Sequence, residues 1–271
     1  MLFFSVKRVL SGLIDGKVWI AGATPLLAAA SYRIFGLPLN PFLLAFLFAG
    51  TLSVYGLHAI ARKRGRVLLS EKIPIAAGIF ALGLALLLPV RLIPAMALTG
   101  LLALAYSHPI LPGKKRLRDF PLIKIFLIAG VWTYLSVFFP AWEADVPLVT
   151  SWWSFAAERA LFIFALTLPF DIRDMQSDRE EGVLTFPIYL GIFKTKQLAF
   201  FALLLSQGLT TFHLGIGLYT FELWLGQGVC SILTAILVAG SHSDRHPWYY
   251  TGLLDGMLVI QPTILLLITA F

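Results

Sequence analysis

DIRDMQSDREEGVLTFPIYLG, residues 171–191, carries five of the fourteen acidic residues of this chain and follows directly on the apolar run 160–170. That run reads as the end of a membrane span, so acid concentrated there needs a physical reason. Asp171, Asp174 and Asp178 stand at i, i+3 and i+7. On a continued helix, at about 100° per residue, they fall within an arc of about 60°. Three carboxylates then face one space and repel one another unless a divalent cation or a cationic side chain stands among them. Oxygen donors alone, with no His or Cys nearby, suit a hard ion such as Mg²⁺, which keeps some waters and bridges to phosphate. A solvated helix end whose acids pair with Arg173 and Arg179 accounts for the same spacing.

The rest of the chain sets this stretch in a membrane. Of 271 residues, 59% are hydrophobic and 13% charged, and the mean hydropathy is +0.86. Such a composition excludes an ordinary soluble domain and predicts an all-α, polytopic membrane protein. The single Cys230 excludes an intramolecular disulfide and a Cys-based metal cluster. A net charge of +7 invites a nucleic-acid reading, but the bases come in short clusters between apolar runs, with no large basic domain to hold nucleic acid.

Spans need about 20 apolar residues, and that template places about nine, at 14–32, 39–61, 73–90, 92–108, 121–141, 152–172, 195–217, 219–240 and 248–270. Residues 1–10 read as an interfacial helix before the first. Ala28-Ala29-Ala30 imitates a signal-cleavage site, but Asp15 and Lys17 interrupt the apolar core such a signal requires. With the N-terminus inside, 18 of the 21 Lys and Arg fall in cytosolic segments, and only Arg33, Arg91 and Arg159 fall elsewhere. That asymmetry places the acidic stretch and the N-terminus in the cytosol and the C-terminus outside. The expectation is a single domain over 1–271, integral to a bacterial cytoplasmic membrane, with Pro25, Pro94, Pro169 and Pro262 kinking helices around a central cavity open to lipid.

Residues 171–191 as a whole resemble the second aspartate motif of the UbiA prenyltransferase superfamily, whose members include 4-hydroxybenzoate polyprenyltransferase-like enzymes. The motif is Asp-x-x-Asp-x-x-x-Asp, then a base, a Gly, a Thr-hydrophobic-Pro and a closing Leu-Gly. Here those positions are Asp171, Asp174, Asp178, Arg179, Gly182, Thr185-Phe186-Pro187 and Leu190-Gly191. A second stretch, Tyr106-Ser107-His108-Pro109, then Lys114, Lys115 and a helix returning at Pro121-Leu122-Ile123-Lys124, is similar to the segment at the mouth of that superfamily's cavity. The resemblance implies that Asp171, Asp174 and Asp178 are catalytic and hold Mg²⁺, and that Tyr106 with Lys114 or Lys115 holds the diphosphate of an isoprenoid donor. Taken singly, an interfacial Tyr and ordinary orientation bases explain these last residues as well.

One departure is large. The superfamily places a first aspartate motif at the cytosolic end of the second span, yet residues 16–70 contain no Asp or Glu. Val54-Tyr55-Gly56-Leu57-His58 stands there, followed by Arg62, Lys63, Arg64 and Arg66. His58 alone has ligand chemistry, and a lone His at a span end is more often an interfacial hydrogen-bonding group. Arg62 and Arg64 are candidate replacements, since guanidinium forks bind phosphate directly. Glu158 and Arg159 lie more than three helical turns before Asp171 and are expected outside the site. His213 and Asp255 are buried-polar candidates without an assigned role.

Three functions fit this sequence. The first is a UbiA-like prenyltransferase moving an isoprenoid from its diphosphate to a lipophilic acceptor. The second is a non-catalytic relative that binds or presents an isoprenoid or quinone-like lipid. A transporter is the third, disfavoured because charge gathers at the cytosolic rim and not at the midplane.

Overall fold

Apolar runs broken by Pro, Gly and short charged loops leave helix as the one structure that satisfies its own backbone polar groups inside a bilayer. The computed structural model of the chain describes residues 17–62, 72–110, 112 and 116–270, and side chains at 58–62 lie outside that description. All regular structure among the described residues is helical. The elements are α1 (Val18–Ile34), α2 (Pro41–Arg62), α3 (Lys72–Ala85), α4 (Ile93–Ser107), α5 (Ile123–Thr133), α6 (Phe139–Glu143), α7 (Thr150–Glu180), α8 (Phe186–Leu190), α9 (Ile192–Gly215), α10 (Phe221–Ala239) and α11 (Asp255–Ile268).

Each apolar stretch anticipated from sequence coincides with a helix. Five segments are long and apolar enough to cross a membrane: Val90–Ser107, Ile123–Glu143, Ile192–Gly215, Phe221–Ala239 and Tyr249–Ile268. Large apolar side chains point outward from the bundle, among them Leu82, Leu86, Leu101, Phe193 and Leu204. In water such a surface would aggregate; facing acyl chains it costs nothing. The protein is an integral membrane protein.

The helices form a ring. α3 packs on α2, α2 on α1, α1 on α11, α11 on α10, α10 on α9 and α9 on α7, and α7 returns through α5 and the segment Tyr134–Phe138 to α1. α4 makes its main contacts at its two ends. Small residues allow the close approaches: in α1, Ala21, Ala23, Ala28 and Ala30 are almost fully buried. Phe162, Ile163 and Leu166 of α7 anchor the central core against α5, α9 and α11.

Two π segments interrupt the rods, at Tyr134–Phe138 and Tyr249–Leu254. Pro140 lies just beyond the first, and having no N–H it leaves a carbonyl one turn back without its usual donor, which favours the wider winding there. The second π segment delivers Asp255 to the head of α11.

α7 continues without a break through Asp171, Asp174 and Asp178, so the helical spacing assumed for the three acids holds. It ends in a Schellman motif: the Val183 N–H donates to the Asp178 carbonyl at 2.8 Å and the Gly182 N–H to the Arg179 carbonyl at 3.2 Å. Gly182 takes φ +71, and a Cβ there would meet nothing within 4 Å. The requirement is therefore backbone strain alone. Gly182→Ala is expected to lower stability by about 1–2 kcal/mol, read as a lowered thermal midpoint of the detergent-solubilised protein; an unchanged midpoint would show that the turn tolerates a side chain.

Candidate functional site at the charged end of the bundle

Three connections meet where α7 leaves the apolar layer. α4 ends at Ser107, next to Tyr106. The loop before α5 runs through Arg116 and Asp119, and α5 itself opens on Lys124. The acidic end of α7 stands opposite, followed by the turn 181–185 and α8.

Two ties hold the loops to each other. Arg116 Nη2 reaches Glu181 Oε2 at 3.2 Å, and the Leu122 N–H donates to the Leu184 carbonyl at 3.0 Å. Arg116 also grips Asp119 through its own backbone N–H at 2.8 Å and its Nε at 2.9 Å. Burial pushes the Asp119 carboxyl up, but the hydrogen bonds and charge of Arg116 more than offset this and hold it below the usual carboxylate range. Leu122 takes φ 60, an unusual conformation for a γ-branched residue, and it directs the chain into α5.

Lys124 follows two residues later. Its Nζ donates to Asp171 Oδ1 at 2.8 Å and stands 3.6 Å from Asp178 Oδ2. The three side chains are largely buried, with relative exposures of 17% for Lys124, 3% for Asp171 and 15% for Asp178. Asp174 turns to a different base: Arg173 Nε and Nη2 donate to its two oxygens at 2.7 and 2.9 Å. The Arg173 guanidinium lies over the rings of Phe170 and Tyr250, at 5.1 and 5.4 Å.

The one space facing three carboxylates is thus divided. Asp171 and Asp178 converge on the Lys124 ammonium, and Asp174 is drawn to Arg173. Among the described residues no three His, Cys, Asp or Glu side chains converge as metal ligands would. The point between Asp171 and Asp178 is held by an ammonium, at 2.8 and 3.6 Å, and not at the about 2.0–2.1 Å at which Mg²⁺ holds its oxygen ligands. The acids were legible in the sequence; their principal partner, counted there among the orientation bases, was not. The available signal was a base three residues after Pro121, at the head of a returning helix.

Other predicted residues are placed unevenly. Tyr106 lies within electrostatic reach of both Lys124 and Tyr55. Tyr55, from the stretch of α2 that lacks acid, packs edge-on against Trp132 of α5 at 6.4 Å. The side chains of His58, Arg62, Arg64, Lys114 and Lys115 lie outside the described residues. Asp255 lines a cavity of about 60 Å³ with Lys17, Trp19, Ile20, Tyr55 and Thr251. A larger cavity of about 340 Å³ lies at the opposite end, between Arg91, Pro94, Leu98, Tyr134, Trp142 and Asp145.

Glu158 and Arg159 fall outside the site, as expected, and they are buried rather than rim groups. Glu158 accepts from Tyr219 at 2.9 Å and is paired with His213 Nδ1 at 2.6 Å; His213 Nε2 lies 2.9 Å from Ser154 Oγ. Arg159 donates to the Leu27 carbonyl at 3.1 Å and to Ser136 Oγ at 3.2 Å. His213 thereby acquires a structural role: it ties α9 to α7.

No protein-family profile matches the chain, and no curated protein matches it in sequence. Solved structures do match in fold. A UbiA homologue from Aeropyrum pernix K1 superposes with a TM-score of 0.62 at 14% identity, covering 93% of this chain and 95% of that one. A UbiA homologue from Archaeoglobus fulgidus bound to GPP and Mg²⁺ gives 0.61 at 11% identity, over 97% and 99% of the two chains. The structure of digeranylgeranylglyceryl phosphate synthase gives 0.58 at 18% identity, over 97% and 96%. The chain has the fold of these proteins along almost its whole length.

Proposed function

We propose that this chain, which has the UbiA fold, binds a prenyl diphosphate at the charged end of its bundle and transfers the prenyl group to a lipophilic acceptor such as an aromatic ring. The observation that carries the reading is the meeting of Tyr106, Lys124, Asp171 and Asp178 at one end of a fold otherwise sheathed in apolar side chains. In this reading the bundle spans the membrane nine times, the charged end and N-terminus are cytosolic, and the C-terminus is external. The distribution of Lys and Arg supports that orientation.

The chemistry assigned to the residues is electrostatic. A prenyl diphosphate brings about three negative charges, and C1–O cleavage leaves the bonding pair on the diphosphate while an allylic cation forms. Arg62, Arg64, Lys114 and Lys115 are assigned to the diphosphate oxygens, and Tyr106 donates a hydrogen bond to them. Asp171, Asp174 and Asp178 orient Lys124 and Arg173. Apolar walls hold the prenyl tail and keep water from the cation until the acceptor attacks and loses its proton.

The deciding experiment incubates purified protein with radiolabelled geranyl diphosphate and a membrane lipid extract, with and without Mg²⁺, the cofactor the resemblance implies. A labelled lipid product is expected. Saturable binding without product would favour a non-catalytic relative that presents an isoprenoid lipid. That second reading has one observation behind it: the carboxylates at 171 and 178 already share Lys124 as a counter-ion.

A sharper test concerns the bases at and just after the end of α2. Arg62→Ala and Arg64→Ala are each expected to weaken geranyl diphosphate binding by about 1.5–3 kcal/mol, as for a hydrogen bond to a charged group. Equal affinity in both variants and wild type would reduce these arginines to orientation signals and move the lipid-presenting reading to first place.

A further inference from the structure

We infer that the Lys124 ammonium is the resident cation of this site: it holds the point between Asp171 and Asp178 that a divalent ion would need, so an anionic donor binds here without a bound metal. The inference rests on the proposed function only for the identity of the anion.

Geometry comes first. Asp171 and Asp178 stand two helical turns apart on α7, so their carboxylates can share one small cation between them. Nζ is that cation, at 2.8 and 3.6 Å. A metal at the same point would have to expel a primary ammonium whose chain is pinned at its root. Leu122, two residues back, is locked by its 3.0 Å hydrogen bond to the Leu184 carbonyl and by its left-handed backbone. The carboxylates are equally fixed, because α7 runs unbroken to Glu180 and is closed by the Schellman turn at Gly182.

Charge comes second. Asp171, Asp174 and Asp178 against Lys124 and Arg173 leave one net negative charge. No acid from 16–70 adds to it, whereas Arg62 ends α2, Lys63, Arg64 and Arg66 follow it, and Lys114 and Lys115 follow α4 in sequence. Without Lys124 the cluster would carry two negative charges and repel a diphosphate unless metal came with it. With Lys124 in place, an incoming anion meets a cluster with one net negative charge and not two. The pair at Asp171 and Asp178 has thus become a holder for a lysine.

The test uses Mn²⁺ as the metal probe and geranyl diphosphate as the anion, on the full-length protein in detergent. Mn²⁺ titration followed by electron paramagnetic resonance is expected to find no saturable site in wild type or Lys124→Arg. Lys124→Met, which opens the carboxylate pair, is expected to gain one site that Asp171→Asn removes. Geranyl diphosphate should bind wild type equally well in EDTA and in millimolar Mg²⁺, within twofold. Stoichiometric Mn²⁺ binding by wild type that Asp171→Asn abolishes would overturn the inference, as would a tenfold or greater loss of geranyl diphosphate binding on EDTA treatment. Should Lys124→Met not fold, the two wild-type measurements decide the matter alone. Wild type that binds neither Mn²⁺ nor geranyl diphosphate under any condition overturns the prenyl-donor reading and the metal-free donor binding inferred from it.

Discussion

Glu158→Ala is expected to be the most damaging single substitution in this chain. The Glu158 carboxylate is the shared acceptor for the Tyr219 hydroxyl and the partner of His213, and its side chain is only 3% exposed. Removing it strands both groups in an interior without water and leaves the neighbouring Arg159 guanidinium, 2% exposed, without a nearby negative charge. One Arg159 nitrogen already lacks a hydrogen-bond partner among the described residues, so no spare acceptor stands by. Breaking a buried charged network by deleting one member costs about 3–5 kcal/mol. In a protein of this size that lowers the thermal midpoint by on the order of 10 °C. Glu158→Gln keeps oxygen and shape and should lose much less. The measurement is thermal unfolding and size-exclusion behaviour of the purified variants; a monodisperse Glu158→Ala protein with a wild-type midpoint would show that the network contributes nothing.

The second large effect is expected at Lys124. Lys124→Met keeps the apolar stem but deletes the charge between Asp171 and Asp178, so two buried carboxylates face each other with no cation between them. The cost again falls at about 3–5 kcal/mol, because what remains is uncompensated buried charge and not merely a lost contact. Two rescues separate this cause from simple packing loss. Neutralising the acids as well, with Asp171→Asn and Asp178→Asn on top of Lys124→Met, should restore most of the stability. Millimolar Mg²⁺ should raise the midpoint of Lys124→Met and leave wild type unmoved. If neither rescue acts, the loss comes from packing, and the ammonium is not the counter-ion of the pair.

Sequence alone determined a good deal. Span length and apolarity are local properties, so composition and periodicity placed each apolar run in a helix, while the short α8 (Phe186–Leu190) lies outside those runs. The acids at i, i+3 and i+7 were readable because helical geometry converts spacing directly into facing. Gly182 and Gly191, at φ +71 and +82, sit where the motif requires Gly because no other residue adopts those angles cheaply. Even the absence of acid from 16–70 was plain, since it needs only counting.

What only the tertiary structure decided is which charge meets which. Lys124 and Asp171 are 47 residues apart, and His213 and Glu158 are 55 apart. Nothing in local pattern links either pair. Lys124 was counted among the cytosolic bases and closed the stretch that resembles the cavity-mouth segment, but neither reading tells which acid a base will meet. Its partnership exists because α5 packs against α7 and because a left-handed Leu122, bonded to Leu184, turns the head of α5 toward the acids. In the same way, Asp174 and Arg173 are sequence neighbours whose pairing is fixed by Phe170 and Tyr250, contributed by α7 and by the π segment before α11. Pairing in a low-dielectric interior is settled by which side chains share the small space away from water, and that space is made by the packing of helices distant in the chain.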